Sequence, residues 1–181
     1  MKLDKQFRFL LATQLKILED LHPDEAQRYR HGRLALEGGY ELHYAHLFEA
    51  IEPPMDTEEC HEVQDILEMH SQMWNAFARL GKARGAKKGD IRFRGFDEAT
   101  EGRQLSYTRY LIEELGRYDE LVDKKRHGFR AEMPMLGTYR RMLAIWKLLD
   151  DRLRFKLDRL AMMQVLEARG WSDDGWDADD D

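Results

Sequence analysis

The sequence contains 181 residues, of which 43% are hydrophobic and 35% charged, and its formal net charge is -6 at pH 7. A chain of this length buries one sizeable core more readily than two. Its single cysteine, Cys60, excludes an internal disulfide bond and favours a reducing compartment. The aspartates of residues 171–181 carry the whole net charge, so the rest of the chain is balanced and its charge alone excludes no class of partner.

Apolar residues recur every three or four positions along most of the chain, and its four prolines leave room for long helices. We predict an all-α fold: a single multi-helical domain of about seven helices over residues 1–170, followed by an acidic, disordered tail at 171–181. Residues 1–21 lack the long uncharged run of a signal peptide or a membrane span. We therefore expect a cytoplasmic protein with no membrane partner.

The first third of the chain predicts three helices. One covers residues 4–21 and is expected to be a core helix. A second begins at Pro23 and stops at Gly38, and a third, over residues 40–51, ends before Pro53. The inward-facing positions of the first helix would be Phe7, Leu10, Leu11, Gln14, Ile17, Leu18 and Leu21.

The rest of the chain predicts further helices separated by polar loops. Residues 56–80 begin with a capping box and continue as a long amphipathic helix. Residues 81–94 are rich in glycine and basic residues, which is typical of an exposed loop. Pro134 begins another helix, and Asp158 caps a last one that ends at Arg169.

Residues 96–118 form the predicted central helix. Its apolar side is long enough to contact most of the other predicted helices. Asp97 is placed as its N-cap, because a carboxylate accepts the free amide hydrogens of a first helical turn. Glu101 projects from the same side as Leu105 and Ile112. We expect the Glu101 carboxylate to be partly buried and satisfied by backbone amides or by an arginine.

Aromatic and basic side chains gather on the opposite side of this central helix. Aromatic residues with a polar rim are typical of the core of a protein interface. We predict a self-association surface there, formed by Arg103, Tyr107, Tyr110 and Arg117.

The basic loop is the candidate site for a polyanion. Its cations are Lys82, Arg84, Lys87, Lys88, Arg92 and Arg94. They could contact nucleic-acid phosphates, with Phe93 available to stack on a base. A merely solvated loop is the other interpretation, and the acidic tail could compete for the same cations. The alternative function is therefore a nucleic-acid-associated factor.

Two pairs have the Glu-x-x-His spacing of di-metal bundle proteins, Glu19 with His22 and Glu58 with His61. The first pair lies at a helix end and the second in a polar first turn, so we predict no metal site. A metal-dependent enzyme is the second alternative function. His70 lies within an apolar stripe and is predicted to be a hydrogen-bonded core histidine.

The sequence shows no complete catalytic constellation. Cys60 and His61 are adjacent, so on a helix they point about 100° apart and do not face each other. The glycine-rich loop lacks the glycine and the hydroxyl that a phosphate-binding P-loop needs at positions 86 and 88. We predict no catalytic residue and no cofactor, and favour a non-enzymatic protein.

Motifs over most of the chain resemble a single family. They are Gln14, Lys16, the RYR of 28–30, Glu37, Gly39, Tyr40, Cys60, Asp65, Ile66, Glu68, Met69, Phe93, the GFD of 95–97, Ala99, Thr100, Glu101, Arg103, Leu105, Tyr107, Arg109, the GRY of 116–118, the HGF of 127–129, Pro134, Met135, Tyr139, the RML of 141–143 and Trp146. This pattern resembles the YfbU family of bacterial proteins, which has no established biochemical activity. The match is weak after Asp150 and does not extend to the acidic tail or to the charge of the basic loop.

The resemblance implies an all-helical, cytoplasmic protein that self-associates, and it brings no catalytic residues. Together with the patterns above, it favours a non-enzymatic regulatory or protein-interaction protein that forms a homo-oligomer.

Overall fold

The computed structural model describes residues 2–81, 85–122 and 128–170 of the chain. Its contacts divide the chain into two compact units, one up to Pro54 and one from Met55 onward. Apart from two short strands, the regular elements of these residues are helical, which confirms the predicted all-α class. The predicted acidic tail lies outside the described residues, and the extent of the predicted domain stays a prediction.

The first unit is built on a helical hairpin. Helix α1 (Lys5–Leu21) begins where predicted, because the Asp4 carboxylate accepts a hydrogen bond from the amide of Phe7 at 2.8 Å. Helix α2 (Ala26–Gly38) follows a short 3-10 turn, Pro23–Glu25, and ends at Gly39 in the left-handed conformation. The two helices run antiparallel, since Arg8 contacts the carbonyl of Leu36 and Arg33 pairs with Glu19.

The helix predicted over residues 40–51 is wrong. Two 3-10 turns, Glu41–His43 and Ala45–Leu47, occupy this stretch. Only Tyr44 is fully buried, whereas Tyr40 and Ile51 at the two ends of the expected stripe are exposed. A short helix needs an apolar face packed along its length, and a single buried anchor does not provide one.

The second unit is organised around helix α3 (Thr57–Leu80), which the Asp56 carboxylate caps at the amide of Glu59. One side of α3 is fully buried, including Val63, Ile66 and Met73. The elements that surround it are α4 (Lys88–Ile91), α5 (Gly102–Arg109) with a π-helical continuation (Tyr110–Glu114), α6 (Leu136–Leu148), α7 (Asp151–Arg154) and α8 (Arg159–Glu167). The Asp158 carboxylate caps α8 as predicted.

The predicted start of the central helix is also wrong. Phe96–Asp97 form strand β1, which pairs in parallel with strand β2, Arg130–Ala131. The Asp97 carboxylate accepts hydrogen bonds from the amide and the hydroxyl of Thr100, at 2.9 and 2.6 Å, and so closes a turn. The helix begins only at Gly102, because the Asx turn and the strand pairing satisfy this backbone in another way.

Glu101 connects the start of α5 to the start of α6. Its carboxylate is 5% exposed and accepts hydrogen bonds from the amides of Asp97 (3.0 Å), Met135 (3.0 Å) and Leu136 (2.6 Å). This is the expected burial with backbone amides as partners. Because Met135 and Leu136 are held in this way, α6 begins two residues later than Pro134.

Candidate interaction surfaces

Helix α1 presents two apolar faces. On one, Leu11, Ala12 and Leu15 pack with Leu36 and Tyr44 to form the small core of the first unit. The other face remains exposed and is called here the α1 stripe. Its members are Phe7, Leu10, Gln14, Ile17 and Leu21.

The α1 stripe is uncharged and strongly exposed. Its four apolar side chains are between 41% and 66% exposed. The prediction that α1 is a core helix is therefore wrong for this face, although its other face is buried as expected. Periodicity reports which side of a helix is apolar, but it does not tell whether that side meets the chain's own core or another molecule.

Exposed apolar groups are a general property of the first unit. Among its described residues, the fully buried apolar side chains are Ala12, Ala35, Leu36 and Tyr44. Its large hydrophobic side chains that remain exposed are Phe7, Phe9, Leu10, Ile17, Leu21, Leu34, Tyr40, Leu42 and Ile51. Large exposed apolar patches mark interaction sites in general, and the α1 stripe gathers four of these side chains on one helix face.

The predicted self-association surface lies in the second unit and is partly committed to internal contacts. The Tyr107 and Tyr110 rings stack with their centroids 6.2 Å apart, and Tyr110 is half exposed. The Tyr107 hydroxyl, however, accepts a hydrogen bond from Gln64 at 2.6 Å. Arg103 forms an ion pair with Glu59 at 3.2 Å. The fourth predicted residue, Arg117, lies over the ring of Tyr118 at 5.0 Å.

The described part of the basic segment is less accessible than the sequence suggested. Phe93 is buried, so the prediction that it stacks on a base is wrong. Lys87 and Lys88 are exposed, and the Lys88 ammonium lies 5.4 Å from the centre of the Trp74 ring. The half-buried Arg92 and Arg94 follow α4. The two remaining cations of the predicted site, Lys82 and Arg84, lie outside the described residues.

A family model of the YfbU domain matches residues 1–168. The chain belongs to the YfbU family. The match covers both units, so the α1 stripe and the surfaces of the second unit all lie within the YfbU domain.

The two Glu-x-x-His pairs of this YfbU domain lie beside arginine residues. Glu19 pairs with Arg33 at 3.0 Å, and His22 lies near the ring of Tyr29. Glu58 and His61 line a shallow groove in which Arg140 holds the neighbouring Glu62 through two hydrogen bonds, of 2.7 and 2.8 Å. Within the described ranges, no three histidine, cysteine or acidic side chains are arranged to hold a metal ion.

Among the histidines that the structure describes, His70 has a strongly lowered pKa. Its Nδ1 lies 3.2 Å from the carbonyl oxygen of Ile91, and its ring packs against Phe93 and Tyr139. Desolvation by burial lowers the pKa of His70 to about 4, so the ring is neutral at pH 7. The contacts are those of a core histidine. Cys60 is half-buried at the start of α3, and His70 lies further along the same helix.

No helix in the described parts of the YfbU domain is long and apolar enough to cross a membrane. The sequence analysis assigned the residues of the α1 stripe to the core and so did not identify this exposed face. The spacing of these residues is visible in the sequence. The sequence does not show that a different face of the same helix forms the core of the first unit.

Proposed function

We infer that this YfbU protein is a cytoplasmic, non-enzymatic interaction protein that works by binding other polypeptides through its first unit. The observation that carries this inference is the α1 stripe, an uncharged helix face exposed beside a core of very few side chains. Burying an apolar side chain contributes about 1.5–3 kcal/mol, so the stripe gains substantially from a protein cover.

The second unit supports a structural role rather than a chemical one. The Glu101 carboxylate is fully used by three backbone amides, and His70 is enclosed by aromatic rings. Both groups therefore take part in the internal packing of the second unit, and Nε2 of His70 has no hydrogen-bond partner among the described residues. Two half-buried acids of α3 form ion pairs with basic residues of α6, namely Glu62 with Arg140 and Asp65 with Lys147.

The proposal is tested by site-specific photo-cross-linking. A benzophenone amino acid is placed at Ile17, within the stripe, and in a matched variant at the adjacent Lys16, which is exposed on a different side of α1. We expect covalent protein adducts from position 17 and few from position 16, when the full chain is irradiated in its host cells. The mass of each adduct reports whether the partner is the same chain or another one.

A substitution in the stripe makes this test specific. Introducing Leu10→Glu into the position 17 variant should abolish the adducts, since a charge on the stripe opposes apolar contact. Equal adduct yields from positions 16 and 17, or adducts that survive Leu10→Glu, would refute the interaction role of the stripe.

A further inference from the structure

The α1 stripe follows the spacing of a coiled-coil seam. Its positions 7, 10, 14, 17 and 21 advance by alternate steps of three and four residues, which are the a and d positions of a heptad repeat. A second helix packed along α1 would meet these positions at the seam between the two helices.

The matching surface is present on the chain itself. Among the described helices, α1 alone carries an exposed series of apolar a and d positions; the exposed Leu148 of α6 and Leu160 of α8 are isolated. Two copies of one seam are self-complementary around a twofold axis, which is the commonest interface in homo-oligomers. The stripe also carries no charge that a second copy would repel.

Gln14 defines how two such seams align. It is the only polar member of the stripe and lies at its middle. An amide buried against Leu10 or Ile17 of another copy would lack a hydrogen-bond partner, which is costly. If the two Gln14 side chains meet at the twofold axis, each amide donates to the other, and both are satisfied.

We propose that two copies of this chain pair through the α1 stripe, with the Gln14 side chains facing each other and the two α1–α2 hairpins forming a four-helix bundle. This names the partner for the interaction role proposed above and rests on it. The buried face of α1 already packs on α2, so each hairpin contributes a complete pair of helices.

The first experiment is sedimentation equilibrium of the full chain and of the Ile17→Glu variant. We expect a dimer for the wild-type chain and at least about a hundred-fold weaker association for the variant, because two charges would enter an apolar seam. Leu148→Glu is the matched control: Leu148 is 82% exposed on α6, outside the stripe, and its replacement should leave the dimer intact. Far-ultraviolet circular dichroism verifies that both variants remain folded.

The second experiment locates the twofold axis. In a Cys60→Ser background, Gln14→Cys should give a disulfide-linked dimer under mild oxidation, whereas Lys16→Cys, on a different side of α1, should remain monomeric on a non-reducing gel. Equal cross-linking at positions 14 and 16 would overturn the proposed alignment.

Two outcomes overturn the pairing through the stripe. A monomeric wild-type chain would refute self-association, and adducts to a different protein from position 17 would then show that the interaction role still holds. A dimer that survives Ile17→Glu but is lost on replacing both Tyr107 and Tyr110 by alanine would place the self-contact on α5 and its π-helical continuation instead. The absence of any adduct from position 17 is the separate result that refutes the interaction role.

Discussion

Replacing Glu101 by alanine tests whether one carboxylate holds the start of α5 to the start of α6. The Glu101 carboxylate accepts hydrogen bonds from one backbone amide in the strand before α5 and from two at the start of α6, with N···O distances between 2.6 and 3.0 Å. Glu101→Ala removes the acceptor and leaves three backbone N–H groups in a region that is largely closed to water. The variant should therefore destabilise the second unit strongly.

The magnitude follows from the number and kind of bonds. A hydrogen bond to a charged group contributes about 1.5–3 kcal/mol, but water entering the vacated space and the desolvation of the lost carboxylate offset part of that sum. We expect Glu101→Ala to lower the free energy of unfolding by about 3–5 kcal/mol, a large part of the 5–15 kcal/mol typical of a domain. Glu101→Gln, which keeps one acceptor oxygen, should lose about half as much.

Urea unfolding followed by tryptophan fluorescence measures this loss in the relevant unit, because all four tryptophans follow residue 54 in the chain. Glu98→Ala is the control. Glu98 lies three residues earlier and forms an exposed ion pair with Arg130 at 2.8 Å, so its loss should cost at most about 1 kcal/mol. A Glu101→Ala variant within 1 kcal/mol of the control would refute the role assigned to this carboxylate.

Three further predictions concern other positions. Gly95→Ala should lower the free energy of unfolding in urea by more than about 3 kcal/mol, because an added Cβ would lie 1.8 Å from the carbonyl oxygen of Phe129 and the φ of Gly95 is +85°. Gly102→Ala is the control: the space around its Cβ is open, so it should change this free energy by less than about 1 kcal/mol. The pKa of His70 is lowered in the folded state to about 4, so the unfolded chain takes up the proton first as the pH falls. Between pH 7 and 5 the free energy of unfolding of the wild type should therefore fall by about 2 kcal/mol more than that of His70→Leu. Gln14→Leu should tighten self-association and broaden the distribution of oligomers in native mass spectrometry, since a polar a position limits both.

Each of these has a result that contradicts it. Similar losses for the two glycine variants would show that the backbone at Gly95 adapts to a side chain. An unchanged pH dependence after replacing His70 would assign the acid sensitivity to other groups. Weaker association of Gln14→Leu would mean that the amide forms bonds that the apolar seam does not compensate.

Helix caps and long periodic segments were predictable because they depend on neighbouring residues. Asp4, Asp56 and Asp158 each bond an amide three residues ahead, and the structure contains all three caps. Asp97 has the same sequence signal, but its backbone pairs with Ala131, more than thirty residues away along the chain. A local rule has no access to such a contact.

Exposure was predicted less well than helicity, for a related reason. Phe93 lies within a run of basic residues, yet it is buried beside Phe96 and Tyr139. Leu10 and Ile17 have the spacing of core residues, yet they face outward. In both cases the sequence shows where the apolar side chains lie along the chain, and it does not show whether the fold buries them.

The small core of the first unit has a consequence for the lifetime of the protein. Few buried side chains stabilise α1 and α2, so this unit should open at a lower free energy than the second and expose its backbone to proteases. A partner that covers the α1 stripe stabilises the closed hairpin by mass action, in proportion to the logarithm of its concentration. Turnover of the chain should consequently slow as its partner accumulates, and the amount of the protein in a cell would follow the amount of whatever binds it.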